Sequence, residues 1–118
     1  MIFCNTTIKI KPLSINKAWQ GRRFKTKEYE VFERSLFTLL PTIIDREPYE
    51  AKTPLELHIE AGLPALMDLS NVLKLIEDVL QKRYGFNDRY VMKIIMNKVL
   101  VRKGEEYIKI SLFTRWHV

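Results

Sequence analysis

The chain has little cysteine, histidine or glycine, and each shortage excludes a class of functional site. Among 118 residues Cys4 is the single cysteine, so neither an internal disulfide framework nor a cysteine metal cluster can form. The two histidines, His58 and His117, lie far apart in the chain and lack the spacing of a zinc site. The four glycines are isolated, so no phosphate-cradling glycine loop is present.

Long apolar runs are also missing. No run approaches the roughly 18 residues that a membrane-spanning helix needs, and the N-terminus lacks the charged region and apolar block of a secretory signal. We therefore expect a soluble, cytoplasmic protein. A hydrophobic content of 47% is enough for a core, and the length fits one domain covering residues 1–118.

Hydrophobic periodicity predicts an α+β fold with the order β-α-β-α-β-β, built as a mixed sheet with helices packed mainly on one face. Thr26 is the expected N-cap of the first helix. Residues 103–105 supply a turn, so the last two strands are expected to form a hairpin. Both faces of the third strand are apolar, which predicts burial against a second copy of the chain. The predicted strands are 5–11, 55–61, 90–102 and 107–113, and the predicted helices end near residues 40 and 83.

The net charge of +6 is concentrated near the N-terminus, where residues 9–27 include seven basic side chains and no acidic one. Such a stretch suits a phosphate backbone, and an aromatic side chain such as Trp19 can stack on an unpaired base or wedge at a branch point. The alternative is a solvated loop with Trp19 packed on the core. The residues predicted to contact DNA are Lys11, Asn16, Lys17, Trp19, Arg22, Arg23 and Lys25.

The second helix has a carboxylate before it, a lysine on its polar side and a carboxylate after it: Asp68, Lys74 and Asp88. Mg²⁺ is commonly held by one or two carboxylates together with water and phosphate oxygens. The spacing therefore predicts a Mg²⁺ site on Asp68 and Asp88. The competing interpretation is that Asp68 or Ser70 only caps the helix.

Helical geometry separates the polar and apolar sides of this segment. At about 100° per residue the core stripe contains Val72, Ile76 and Val79. The opposite stripe holds Ser70, Asn71, Lys74 and Asp78. Asp78 is predicted to hold Lys74 in place, whereas Glu77 is predicted to face solvent.

The segment from Asp68 to Asp88 resembles the signature of RusA-type Holliday-junction resolvases, Asp-x-Asp-Asn-Leu-x-Lys-x-x-x-Asp-x-Leu, followed by Gly-Phe and a late aspartate. The sequence KPLSIN at residues 11–16 is similar to the family's Pro-Pro-Ser-x-Asn-Arg loop. The resemblance covers nearly the whole chain. The matching positions are Asp68, Asn71, Val72, Lys74, Asp78, Leu80 and Asp88.

The resemblance implies a Mg²⁺-dependent endodeoxyribonuclease of bacterial or phage origin, with Asp68, Lys74 and Asp88 catalytic and Asn71 and Asp78 supporting them. It also implies a homodimer whose two active sites nick a four-way junction symmetrically in DNA recombination and repair. Ser70 departs from the family, because it replaces the middle carboxylate. The resemblance makes its hydroxyl a further, weaker candidate ligand for Mg²⁺, or for Mn²⁺ as a substitute metal. Two alternatives therefore stay open: a DNA-junction binding protein with weakened or lost nuclease activity, and a nuclease acting on RNA or other branched DNA.

Overall fold

A computed structural model describes residues 2–12, 19–20, 24–42, 53–65 and 67–115, with the backbone alone at residues 19, 20, 24, 25 and 71. A short 3-10 helix, Asp88–Tyr90, precedes the fifth strand. The other elements are β1 (Ile2–Ile8), β2 (Trp19–Gln20), β3 (Phe24–Lys25), α1 (Lys27–Leu39), β4 (Leu55–Leu63), α2 (Leu69–Tyr84), β5 (Val91–Leu100) and β6 (Tyr107–Thr114).

Four strands form one mixed sheet in the order β1-β6-β4-β5. β4 and β5 are parallel, and α2 is the crossover between them. β6 runs antiparallel to both β1 and β4. This arrangement confirms the predicted α+β fold with a mixed sheet. The bounds of α1, with Thr26 as its N-cap, and of α2 agree with the periodicity to within a residue or two.

The core lies between one face of the sheet and the two helices. Buried residues alternate with half-exposed ones in β4 and β6, and the registered pairs Leu57/Leu112 and Ile59/Ile110 are buried side by side. Alternate residues of a strand point to opposite faces, so one face carries the core and the other is polar. From α2 the core receives Val72, Leu75, Ile76, Val79 and Leu80.

The predicted hairpin between the last two strands is wrong. β6 lies between β1 and β4, and β5 occupies the edge of the sheet beyond β4. The turn itself exists, since the Glu105 N–H donates to the Arg102 carbonyl at 2.9 Å. A turn sequence indicates that the chain reverses direction. It does not indicate that the two strands joined by the turn pair with each other. β6 takes the inner position because Ile108, Ile110 and Leu112 can then all be completely buried.

Two differences concern the basic stretch. β1 is Ile2–Ile8, so it begins and ends three residues before the strand predicted for residues 5–11, and Lys11 lies beyond its end. β2 and β3 were not predicted, and they pair as a minimal antiparallel ladder with Trp19 opposite Lys25. Within the described ranges, neither helix has the length and apolar character required to cross a membrane.

Candidate active site

A side chain of β5 holds the start of α2 in place by hydrogen bonds. Lys98 extends from β5 and its Nζ donates to the carbonyls of Met67 at 2.7 Å and Ala65 at 3.2 Å. Asp68 follows as the N-cap residue with an extended backbone, but its side chain makes no capping hydrogen bond. Asp68 and Ser70 are both exposed. The capping interpretation for Asp68 therefore lacks the hydrogen bond that defines it.

After α2 ends, the following segment turns back along the side of the helix. Gly85 adopts the left-handed conformation, with φ of 71°, that commonly terminates helices, and its N–H donates to the Gln81 carbonyl at 2.8 Å. The Asn87 side chain then accepts from the Arg89 N–H at 3.0 Å and caps the 3-10 helix. The Asp88 N–H donates to the Gln81 side-chain oxygen at 3.1 Å. These contacts fix Asp88 against the flank of α2.

Three predicted site residues meet on that flank. The Lys74 Nζ lies 3.3 Å from Asp78 Oδ1 and 3.9 Å from Asp88 Oδ2. The Tyr29 hydroxyl of α1 donates to Asp78 Oδ2 at 3.5 Å. Asp78 thus contacts Lys74, as the stripe predicted, and is itself contacted from the neighbouring helix. We refer to Lys74, Asp78 and Asp88 as the charged cluster.

Burial and the charges of the cluster shift the pKa values of Lys74, Tyr29 and Glu77. Asp78, and to a smaller degree Asp88, raise the pKa of Lys74, so its ammonium stays charged at neutral pH. Burial, followed by the charge of Asp78, raises the pKa of Tyr29 to about 12, so the phenol remains a donor. Burial and then the charge of Asp88 raise the pKa of Glu77. Glu77 is half-buried, so the prediction that it faces solvent is wrong.

The ion pairs of the cluster contribute little to folding. The Lys74 side chain is about half exposed, and Asp88 is more than a third exposed. Exposed pairs of this kind stabilise a protein by about 0–1 kcal/mol because water screens both charges. A positive charge therefore sits close to two carboxylates at a surface that solvent and solutes can reach.

Asp68 and Ser70 stand apart from the charged cluster in the described contacts. Asp68 precedes Lys74 by six positions, which is roughly 9 Å along a helix axis at about 1.5 Å per residue. In the part of the chain that the structure describes, no group of three or more acidic, histidine or cysteine side chains is arranged to hold a metal ion. The Mg²⁺ site on Asp68 and Asp88 stays a prediction.

The predicted DNA contacts are described only in part. Lys11 is exposed and follows β1. Trp19 and Lys25 belong to the paired strands β2 and β3, where the backbone alone is described. Asn16, Lys17, Arg22 and Arg23 lie outside the described residues, as does the side chain of Asn71.

Sequence reasoning missed three side chains that shape the site: Tyr29, Gln81 and Lys98. Tyr29 reaches the site from α1, and Lys98 reaches it from β5. The sequence pattern of these two elements gives no signal for such a role. Gln81 follows Asp78 by less than one helical turn, so its position on α2 could have been noticed, although the return of Asp88 toward it could not.

Comparisons of the chain with models of known protein families and with curated protein sequences found no match. The resemblance to RusA-type resolvases consequently rests on the motif residues themselves.

Proposed function

We propose that this protein is a Mg²⁺-dependent, structure-selective endodeoxyribonuclease that resolves Holliday junctions as a homodimer. The observation that carries the proposal is the 3.9 Å approach of Lys74 to Asp88. These residues come from a helix and from the loop after it, and both belong to the motif on which the resemblance rests. Their contact supports treating these two positions of the motif as parts of one surface.

Each residue of the motif has a chemical role that its surroundings allow. Asp68, at the start of α2, and Asp88, beside Lys74, would supply the metal ligands. Asp68 suits a hard cation because its carboxylate is exposed and makes no capping hydrogen bond. When bound, Mg²⁺ would activate a water and neutralise charge on the phosphate.

Lys74 would stabilise negative charge on the scissile phosphate. Its raised pKa keeps it protonated, so it acts as a fixed positive charge and not as a general base. Asp78, 3.3 Å from the Lys74 ammonium, would orient that side chain, and the Tyr29 hydroxyl would in turn orient Asp78. Lys98 would position Asp68 through the two carbonyls that it binds.

The edge strand β5 supports the homodimer. It is ten residues long, and large apolar side chains stay exposed along it: Met92, Ile94, Ile95, Val99 and Leu100. Exposed apolar edge strands readily pair with another chain. A two-fold dimer would present two active sites to a four-way junction of similar symmetry, so that opposed strands are nicked as a pair.

Ser70 favours a second candidate function, a junction-binding protein with weak or no nuclease activity. Its hydroxyl is exposed at the start of α2, where the family has a carboxylate. A hydroxyl brings no charge to a metal ion, so Mg²⁺ would bind more weakly.

The test is to incubate the purified full chain with a labelled four-way junction and with a linear duplex, in Mg²⁺, Mn²⁺ or EDTA. We expect paired, symmetric nicks in the junction with either metal and none in EDTA. Binding without nicks in every metal would support the second candidate instead. Nicks restricted to the linear duplex would contradict the junction specificity, and absence of both binding and cleavage would reject both functions.

A further inference from the structure

A basic cleft of about 310 Å³ lies at one end of the sheet and shares no lining residue with the charged cluster. Three lysines line it: Lys9 and Lys11, which follow β1, and Lys103, from the turn between β5 and β6. Glu106 also lines the cleft. The cleft thus carries three positive charges and one carboxylate. Of the three lysines, the sequence analysis predicted a DNA contact for Lys11 only.

The sheet topology places this basic cleft at the same end of the molecule as Asp68. β4 and β5 are parallel, and both finish there, with the Val101 N–H donating to the Leu63 carbonyl at 3.1 Å. β1 also finishes there, beside the start of β6, where Ile8 is registered with Ile108. Asp68 follows β4 by a short connection. An extended polyanion lying along this end of the sheet could therefore contact the basic cleft and approach the start of α2.

Lys103 is presented by a rigid turn. The Glu105 N–H donates to the Arg102 carbonyl at 2.9 Å, and Gly104 has φ of 97° at the third position, which makes this a type II turn with Lys103 at its second position. The Gly104 N–H also donates to the carboxylate of Glu106, which is almost fully buried. The one acidic group of the cleft is therefore engaged in holding the turn.

The lysines themselves are available to a ligand. Lys9, Lys11 and Lys103 are exposed, and no carboxylate of the described residues forms an ion pair with them. An ammonium group binds phosphate as a point charge. Three such groups, converging from two segments onto one cleft, suit successive phosphates of a backbone better than a single small anion. Charge repulsion among them is relieved when a polyanion binds.

We propose that Lys9, Lys11 and Lys103 form a docking site for the phosphodiester backbone of DNA, through which one arm of the substrate is held across the end of the sheet near Asp68. The inference rests on the proposed function, because it names the substrate contact of the same enzyme. It adds the β5–β6 turn to the substrate-binding surface.

The test compares two triple variants of the full chain with equal loss of charge. One is Lys9→Gln, Lys11→Gln and Lys103→Gln; the matched control is Arg34→Gln, Lys82→Gln and Lys109→Gln, which are exposed basic residues elsewhere. Binding of a labelled four-way junction is followed in EDTA between about 50 and 200 mM salt. We expect the cleft variant to flatten the slope of log affinity against log salt by about 0.9 for each lost phosphate contact, up to roughly 2.7.

The control variant should change the slope by less than one contact. Equal slopes for the two triple variants would overturn the docking site while leaving the proposed function standing, because wild-type binding and cleavage are measured separately. Failure of the wild-type chain to bind any junction would instead reject the proposed function. Inorganic phosphate, titrated at constant ionic strength, forms a further arm: binding that the cleft variant loses, with an unchanged DNA slope, would identify a free-anion site and overturn the proposal.

Discussion

The two ends of α2 give their polar side chains opposite surroundings. At the C-terminal end, the Tyr84 hydroxyl donates to the Pro41 carbonyl at 2.7 Å, and Arg83 donates to the Leu40 carbonyl with its guanidinium 5.4 Å from the Phe37 ring centre. At the N-terminal end, Asp68 and Ser70 are exposed, and Asp68 lacks the capping bond that its position allows.

This difference separates polar groups that stabilise the fold from polar groups that are available to bind a ligand. Groups near the C-terminal end are engaged with α1 and the segment after it, so changing them disturbs packing. Groups at the start keep their hydrogen-bonding capacity for a ligand. The charged cluster lies between these extremes, since Lys74 has two acidic partners but remains half exposed. The variants below test whether junction cleavage depends on the polar groups that are available to a ligand.

The largest effect is expected from the two proposed metal ligands. Asp68→Asn and Asp88→Asn each remove a charge from the metal site, so junction cleavage should be abolished while junction binding in EDTA stays within a few-fold of wild type. Gel-based cleavage and binding assays on one junction measure both. Asp45→Asn, an acidic residue outside the motif, is the control. Wild-type cleavage by either motif variant would remove that residue from the site.

Lys74→Gln should have the next largest effect. Loss of a fixed charge that stabilises a transition state typically lowers kcat by about 10²–10³, whereas an exposed ion pair is worth about 0–1 kcal/mol. Single-turnover cleavage and thermal unfolding would be compared with those of Lys82→Gln, a lysine on the same helix that pairs with Glu33. A Lys74 variant that unfolds while Lys82→Gln does not would indicate a structural role.

Ser70→Asp should sharpen the contrast between the two ends by adding a carboxylate beside Asp68. We expect the Mg²⁺ concentration for half-maximal cleavage to fall several-fold, since each anionic ligand strengthens binding of a hard cation. Ser70→Asn is the control, because asparagine has the same size as aspartate but carries no charge. If both variants show the wild-type Mg²⁺ dependence, Ser70 does not face the metal.

Glu77→Gln should have a smaller effect, and one that depends on pH. Burial raises the folded-state pKa of Glu77 above its ordinary value of 4.5, so the stabilisation from its protonated form is complete below that pH and disappears as pH rises through the folded pKa. The variant should therefore raise the urea midpoint at pH 7 and leave it unchanged near pH 4. Exposed Glu105→Gln is the control, and an equal gain at both pH values would contradict the explanation.

The smallest effect is expected for helix capping. Thr26 caps α1, its side chain accepting from the Tyr29 N–H at 3.1 Å, so Thr26→Ala should cost about 1 kcal/mol of unfolding free energy. Asp68→Ala should cost only a few tenths of a kcal/mol, from lost interaction with the helix dipole, because no capping bond exists to break. Urea unfolding measures both. An equal loss would show that Asp68 caps α2 in solution.

Local patterns predicted much of the fold and the part of the site that lies on one helix. Periodicity identified α2, and the spacing of Lys74 and Asp78 predicted their ion pair. The position of β6 between β1 and β4 could not be read from the chain, because strand order depends on which apolar faces are buried most completely. The contact of Tyr29 with Asp78 joins residues 49 positions apart, a separation that no local pattern spans.

The pairing of β1 with β6 has a consequence for synthesis of the protein. In the described sheet β6 is the neighbour of β1, with Asn5 registered on Ser111, so β1 gains this partner only after β4 and β5 have been made. At about 5–20 residues per second, ribosomal elongation through the intervening hundred or so residues takes roughly 5–20 s. During that interval Phe3 and Cys4, buried in the finished fold, remain unprotected on a nascent chain. Among the strands of the described sheet, β1 is thus made before the others and is among the last to gain its partner.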